Sequence, residues 1–292
     1  DPATWGGAFR EAIEALSLAQ AKLAAEPSRL RLLELQFIQA AAPKAAILDG
    51  SPILEGLRLK KDTQELGKMR EAAVIAQKAL VETLKCIHPG MSEKQIAAEL
   101  VIALYQAGSD MALPFEPIVS SGPNSANPHA APSERLLQEG DLLLFDWGAS
   151  KDGYFSDITR TVTVGEVEPE LQHIGEVVLA ANAKGREIAA PGMPAGAVDK
   201  AVRAVIESAG YGEYFTHRTG HGLGMEAHEA PYIFGANSQL LAPGMVFTIE
   251  PGIYLPGRGG VRIEDDVVIT ENGVHSLTDL PRAVVPYNTL FD

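Results

Sequence analysis

The chain has 292 residues, with 24 Lys and Arg against 38 Asp and Glu and a formal net charge of −14. Its length suits one large domain, or a catalytic domain with an appendage, and its acidity excludes the clustered basic surface that a nucleic-acid partner requires. No apolar run reaches the length a bilayer needs, and Cys86 as sole cysteine excludes an internal disulfide and a thiolate metal cluster, which fits a reducing, cytoplasmic setting.

In chain order, Asp1, Glu11 and Glu14 stand where a signal peptide would carry a basic start and an apolar core, so none is expected. Residues 9–25 read as one amphipathic helix, residues 28–42 as a second and residues 45–49 as a short strand. Ser51-Pro52 starts a turn towards Leu57-Arg58, and Lys60-Lys61 reads as a solvated boundary. A helix over about 62–87 carries Leu66, Met69, Ala73, Ala76 and Leu80 on one stripe and ends at His88-Pro89-Gly90. Ser92 and Gln95 have capping-box spacing and open the next helix, which closes at Ala107-Gly108.

A Pro-, Ser- and Asn-rich loop over 114–132 carries His129. Strands over 142–145 and 154–164 follow, then helices over 169–190 and 195–209. A Gly- and His-rich segment over 216–229 precedes strands over 246–250, 261–265 and 267–270. Helices alternating with antiparallel strand pairs define an α+β class, with helices covering one face of a curved sheet.

Two halves repeat each other. Aligning Gly140 with Gly244 also aligns Asp146 with Glu250, 104 residues apart in both cases (140 to 244, 146 to 250). Upstream, Pro89-Gly90-Met91 matches Pro191-Gly192-Met193 and Gly108 matches Gly210, displaced by 102 (90 to 192, 108 to 210). This period is too long and too few-membered for a solenoid, so a duplicated helix-helix-hairpin half around a pseudo-two-fold axis is expected. Each half ends a strand on one acid, Asp146 or Glu250, and follows it with a second, Asp157 or Glu264.

Carboxylates brought together in this way repel one another unless cations or protons neutralise them. Taken singly, Asp146 could cap a turn at Trp147-Gly148 and Asp157 could pair with Arg160, but the shared register of two acidic pairs favours a common site. His221, flanked by Gly220 and Gly222, would complete it with a neutral imidazole. One nitrogen among oxygens, without sulfur, suits Mn, Co, Fe or Zn. Four acids suffice for two such ions roughly 3.5–4 Å apart, which can share a hydroxide and polarise a carbonyl.

His129 and His228 are candidates for proton transfer and oxyanion stabilisation. Each could instead be an ordinary loop histidine. His217 and Arg262 are weaker candidates; Arg262 could orient Glu264 or bind a substrate carboxylate. Ser120-Ser121-Gly122 lacks the strand-elbow pattern of a serine nucleophile.

The runs Phe145-Asp146-Trp147-Gly148, Ser156-Asp157-Ile158-Thr159-Arg160-Thr161, Gly220-His221-Gly222-Leu223-Gly224, Ile249-Glu250-Pro251-Gly252 and Arg262-Ile263-Glu264-Asp265 resemble the five motifs of the pita-bread metallopeptidases. Methionine aminopeptidase, aminopeptidase P and prolidase belong to that family. The resemblance covers roughly residues 60–292. The run from Thr216 to Glu229 is most similar to the Xaa-Pro dipeptidases of bacteria and archaea.

The resemblance implies a pita-bread catalytic domain over 61–292, with residues 1–60 as a truncated remnant of the α/β creatinase-like N-terminal domain. It implies two divalent cations, Mn first with Co, Zn or Fe as alternatives. Asp157 and Glu264 would bridge them, Asp146 would hold one, and His221 and Glu250 the other. A metal-bridging hydroxide would attack the carbonyl before proline, with Glu250 as proton shuttle and His129 and His228 serving the intermediate and the imino nitrogen. The substrate implied is a proline-containing dipeptide, and a homodimer is expected by the same resemblance.

Three alternatives remain open. An aminopeptidase P would release the first residue from longer Xaa-Pro peptides. A creatinase-like relative works without metals but has its ligands replaced, unlike this chain. A non-catalytic binding module is a different class altogether.

Overall fold

A computed structural model describes residues 2–290; Asp1, Phe291 and Asp292 lie outside them. The chain divides into two units, Asp1–Arg58 and Leu59–Asp292.

The first unit runs α1 (Pro2–Ala15), β1 (Lys22–Ala25), α2 (Leu32–Ala41), β2 (Ala46–Asp49) and α3 (Ser51–Arg58). β1 and β2 pair in parallel, from Lys22↔Ala46 to Ala25↔Asp49. The single helix expected over 9–25 is therefore wrong in its second half. The chain leaves the helix after Ala15, Ser17 takes a left-handed φ of 57°, and the Lys-Leu-Ala-Ala run becomes a strand. Helix propensity is a weak prior that pairing with β2 overrides. The turn expected at Ser51-Pro52 is the start of α3: Asp49 Oδ1 accepts the Ser51 N–H at 2.8 Å, and proline is tolerated in a first helical turn.

The second unit opens with α4 (Thr63–Cys86) and α5 (Glu93–Ala107). Asp62 and Glu65 form a reciprocal capping box on α4, and Ser92 and Gln95 form one on α5. Met69, Ala73, Ala76 and Leu80 are buried along the expected stripe. β3 (Ile118–Ser121) then rises inside the segment expected to be loop. Its Ile-Val start favours a strand and its Ser-Ser end does not, so pairing with the next strand carries the element on to Ser121.

β4 (Leu142–Trp147), β5 (Ser150–Lys151), β6 (Tyr154–Phe155) and β7 (Ile158–Thr163) follow. The continuous strand expected over 154–164 is broken at Ser156-Asp157. There the Ser156 N–H donates to Ala149 O at 3.0 Å and the Asp157 N–H turns to Asp266 Oδ2 at 3.0 Å. The remaining elements are α6 (Pro169–Ile188), α7 (Ala195–Ser208), β8 (Gly220–Gly222), β9 (Glu229–Ile233), β10 (Val246–Ile249), β11 (Gly252–Leu255), β12 (Gly259–Arg262), β13 (Asp265–Thr270) and β14 (Gly273–Ser276).

β3, β4 and β7 form one antiparallel sheet, and β14-β13-β10-β8-β9 another, with β11 and β12 as a hairpin beside them. An antiparallel bridge between Thr159 and Glu264 joins the two halves. In one half, α4 and α5 cover β4 and β7 through Leu80, Ile96, Leu100, Phe145 and Val162. In the other, α6 and α7 cover β10 and β13 through Val178, Val198, Val202, Phe247 and Val267.

The duplication is written into the backbone. Gly90 donates to Leu137 O and Leu137 back to Met91 O, both at 2.8 Å; Gly192, Leu241 and Met193 repeat this at 2.8 Å. Gly140 donates to Val164 O and Val164 to Asp141 O, as Gly244 does to Ile269 O and Ile269 to Met245 O. Gly140 and Gly244 both have φ of 88°, a conformation glycine adopts without steric cost. These matched brackets set each acidic strand end at the same place in its half.

Candidate metal and active site

Asp146 is the penultimate residue of β4, paired with Ile118 on one side and Thr159 on the other. Asp157 immediately precedes β7, Glu250 immediately follows β10, and Glu264 lies between β12 and β13 on the bridge to Thr159. His221 is the central residue of β8. Gly220 permits this close approach, because a Cβ there would lie 1.9 Å from Thr248 O. Four strand ends from both halves thus converge on one imidazole.

His221 Nε2 lies 3.4 Å from Glu250 Oε1 and 3.7 Å from Asp157 Oδ2. Ligand atoms of Asp157, His221 and Glu264 all lie within 4.8 Å of one another. His221 Nδ1 faces Gly222 O at 3.0 Å, so this nitrogen carries the proton and Nε2 presents its lone pair to the carboxylates. Thr248 steadies the same corner, accepting the His221 N–H at 3.1 Å and donating to Glu250 Oε1 at 3.2 Å. Thr159 donates to Glu264 Oε2 at 2.6 Å and accepts Arg262 Nε at 3.0 Å.

Each half anchors its site loop with an acid on its second helix. Glu93 on α5 is fully buried and accepts from Ser121 and Ser133, at the two ends of the loop that carries His129. Asp199 on α7 accepts the N–H and hydroxyl of Thr219, just ahead of His221, at 3.1 and 2.8 Å.

Burial raises Asp157 well above the usual carboxylate range, and Glu264 and Asp146 beside it raise it further. Glu264 is raised likewise, by burial and then by Glu250 and Asp146. Glu250 is pushed to about 7 by burial, with Asp146 adding and Arg262 opposing. His221 is lowered to about 3 by burial and by His228, and His217 to about 4 by burial and by Arg262. Crowded acids beside a neutral imidazole make an electrostatic vacancy for cations. Asp146 Oδ1 and Asp157 Oδ1 are buried without a hydrogen-bond partner among the described residues, which is costly unless something else satisfies them. The donor set of oxygens and one nitrogen fits two divalent ions.

The signs of these shifts make a prediction for the metal-free chain. Raised carboxylates bind extra protons when folded, so stability falls as pH rises through their folded values, of which Glu250 marks about 7. Depressed imidazoles act oppositely, losing stability as pH falls below their ordinary 6.5. Above pH 6.5 the imidazoles no longer change and only the carboxylates still give up protons, so stability in chelator should decline from pH 6.5 to 8.5. Urea midpoints at pH 6.5 and 8.5 check this; an equal or higher midpoint at 8.5 refutes it.

All nine residues singled out from the sequence line one cavity of about 510 Å³: Asp146, Asp157, His221, Glu250, Glu264, His129, His228, His217 and Arg262. His129 and His228 are exposed at its mouth, the His228 ring 4.1 Å from that of His221. Arg262 lowers Glu264 through its charge and makes its direct hydrogen bonds elsewhere. Its guanidinium is 3% exposed and meets Asp146 Oδ2 at 2.5 Å and the Tyr254 hydroxyl at 2.9 Å, and its hydrogen bonds reach Glu264 only through Thr159. His217 Nε2 lies 2.8 Å from the same hydroxyl.

Several functional neighbours escaped the sequence reading. Tyr254, on the unforeseen β11, links His217 and Arg262. Arg218, Phe115 and Ile118 also line the cavity; the position of Arg218 beside His217 was an available signal. Lys61, expected to be solvated, is buried and pairs with Glu229 at 3.0 Å. Arg160 pairs with Asp265, not Asp157, and Asp146 lies in a strand, not a turn cap. Ser121 donates to Glu93 and attacks nothing.

One difference between the two halves falls at the site itself. Leu143 pairs with Ser121 as Phe247, 104 residues on, pairs with Gly222. Ser120 therefore stands in the first half where His221 stands in the second. Its hydroxyl is buried and has no hydrogen-bond partner among the described residues.

An oxygen-rich cation site at the seam of a duplicated α+β domain is that of a pita-bread metallopeptidase. The model of metallopeptidase family M24 matches residues 67–271, and the chain belongs to that family of peptide hydrolases. It is 41% identical over 233 residues to the Xaa-Pro dipeptidase of Pyrococcus furiosus, covering 80% of this chain and 67% of that protein. A crystal structure of a dipeptidase from Pyrococcus horikoshii OT3 superposes with a TM-score of 0.91 at 41% identity, over 96% of this chain and 78% of the other. An X-Pro aminopeptidase from Thermotoga maritima MSB8 gives a TM-score of 0.89 at 36% identity, over 96% and 79%. Among the described residues no helix is long and apolar enough to cross a membrane.

Proposed function

We propose that this chain is a dinuclear-metal Xaa-Pro dipeptidase that hydrolyses the bond before proline. The observation that carries the reading is the convergence of Asp146, Asp157, His221, Glu250 and Glu264 from both halves, with buried carboxylate oxygens left unpartnered. Asp146, Asp157, His221, Glu250 and Glu264 would together hold two cations. Bound there, divalent ions supply a water of lowered pKa and polarise the scissile carbonyl. Manganese is the metal proposed, in a cytoplasmic homodimer whose residues 1–60 form part of a creatinase-like N-terminal domain.

The chain's own groups do the rest. Glu250 takes the proton of the attacking water and passes it towards the leaving nitrogen. The amide nitrogen before proline, as in any amide hydrolysis, must be protonated as it leaves, and it departs as the secondary amine of the ring. His228 and His129, at the cavity mouth, donate to the carbonyl oxygen as it becomes tetrahedral and to the departing imino group. Arg262 fixes Asp146, with Tyr254 and His217 holding Arg262 in turn. Phe115, Ile118 and Pro128 give the cavity an apolar wall suited to a pyrrolidine ring.

The likeness to the Thermotoga X-Pro aminopeptidase favours a second reading, release of the first residue from longer Xaa-Pro peptides. Comparing kcat/KM for Ala-Pro and Ala-Pro-Ala on the Mn-loaded enzyme separates the two. A dipeptidase favours Ala-Pro; a marked preference for Ala-Pro-Ala overturns the first reading in favour of the second.

A further inference from the structure

His228 stands on a tight loop over 223–229 whose inner side rests on a buried charge. Lys61 Nζ lies 3.0 Å from Glu229 Oε2, with the two side chains 2% and 7% exposed. The other carboxylate oxygen of Glu229 accepts the Glu226 N–H at 2.9 Å, across the loop. Gly224 donates to Glu226 O at 3.0 Å and accepts from the Phe155 N–H at 2.8 Å. The stem of Lys61 packs on the same turn, since a Cβ on Gly224 would lie 2.7 Å from its Cε. Lys61 itself reaches from a fixed base, because its own N–H donates to Gly244 O at 2.8 Å.

A buried ion pair adds no more stability than an apolar pair of equal size, but it is directional. Here both oxygens of Glu229 are committed, one to Lys61 and one to the loop, and Glu229 is the residue joined to His228. On the other side of the loop the His228 ring lies against His221. A shift of the loop would therefore move the imidazole relative to the reacting carbonyl, and small misplacements of a catalytic group carry large rate penalties.

We propose that the Lys61–Glu229 pair is a positioning device that holds His228 in register with the metal site. The inference rests on the Xaa-Pro hydrolysis proposed above. Lys61 touches neither substrate nor cations; it acts through the loop.

The test uses the full chain loaded with Mn and assayed on Ala-Pro, with metal content measured for each variant. Lys61→Met is expected to lower kcat on the order of 10²-fold, with KM and metal content close to those of the wild type, and Lys61→Arg to recover most of the rate. If the single variant fails to fold because Glu229 is left charged, Lys61→Met/Glu229→Gln removes that charge and should show the same loss. In a His228→Ala background the Lys61→Met substitution should add nothing further, whereas a general structural defect would multiply the losses. Wild-type kcat in a folded variant, or multiplied losses, overturns the proposal.

Hydrogen exchange reads the tie without any substrate. Lys61→Met should speed exchange across 223–229 and leave other segments unchanged, and unchanged exchange there overturns the proposal whatever peptide is cleaved. Absence of Ala-Pro hydrolysis by the wild type, with fast exchange in the variant, would instead remove the proposed reaction and leave the positioning role standing.

Discussion

Glu264→Gln is expected to lower turnover of Ala-Pro on the order of 10³-fold, the equivalent of the several kcal/mol that metal assistance supplies, and to lower metal content with it. Glutamine keeps the shape of the side chain and the Thr159 hydroxyl beside it, now at 2.6 Å from Oε2, but presents no negative charge. The backbone remains fixed, because the Glu264 N–H donates to Thr159 O at 3.1 Å. The loss is thus one of ligation, with the fold preserved. Asp157→Asn should behave alike, since Asp157 faces His221 from the other half. Chelation should abolish hydrolysis in the wild type, and Mn or Co should restore it. Normal metal content in both variants would exclude a ligand role for these acids, and full activity after verified metal removal would defeat the metallopeptidase mechanism.

The largest effect on stability is expected from Arg160→Met, about 3–5 kcal/mol, the usual cost of breaking a buried ion pair from one side. Arg160 is 1% exposed. Its Nη2 meets Asp265 Oδ1 at 2.8 Å, while Nη1 donates to Thr159 O at 2.9 Å and to Glu264 O at 2.6 Å. One guanidinium thus clasps both sides of the bridge between the halves. Burial alone would raise Asp265, but Arg160 and Arg282 outweigh it and hold its carboxyl below the usual range. Met would take the guanidinium donor from Glu264 O, leave Thr159 O with the Glu264 N–H alone, and leave Asp265 with Arg282 at 2.7 Å, Thr278 at 2.7 Å and Arg186 at 3.7 Å. Urea unfolding of the variant measures the cost, and a shift under about 1 kcal/mol, the range of an exposed ion pair, would show that the clasp is dispensable.

What the sequence made legible was periodic or repeated. The stripe on α4, the capping boxes and the matched glycine brackets are local signals, readable without knowing what packs on them. The candidate site was legible because an acid ends a strand at the same offset in each half, Asp146 and Glu250, and a second acid follows each, which isolated turn or ion-pair roles do not explain. Elements fixed by distant partners were not. β1 hid in an Ala-rich run that only β2 makes a strand, and β3 in a Ser-rich loop that needs β4. The break before β7 depends on Asp266, more than a hundred residues away. Arg262 was seen as a candidate beside Glu264, but its direct partners Asp146 and Tyr254 come from other strands and could not be read from its neighbours in sequence. Lys61 looked like any lysine at a boundary until Glu229 was folded over it.

Ser120 and His221 occupy corresponding places on either side of the seam, one bearing a small hydroxyl and the other an aromatic base. The backbone there is near-symmetric, but its chemical furnishing is lopsided. The duplication thus supplies a scaffold, and departures from it such as this one give the two sides of the seam different chemistry.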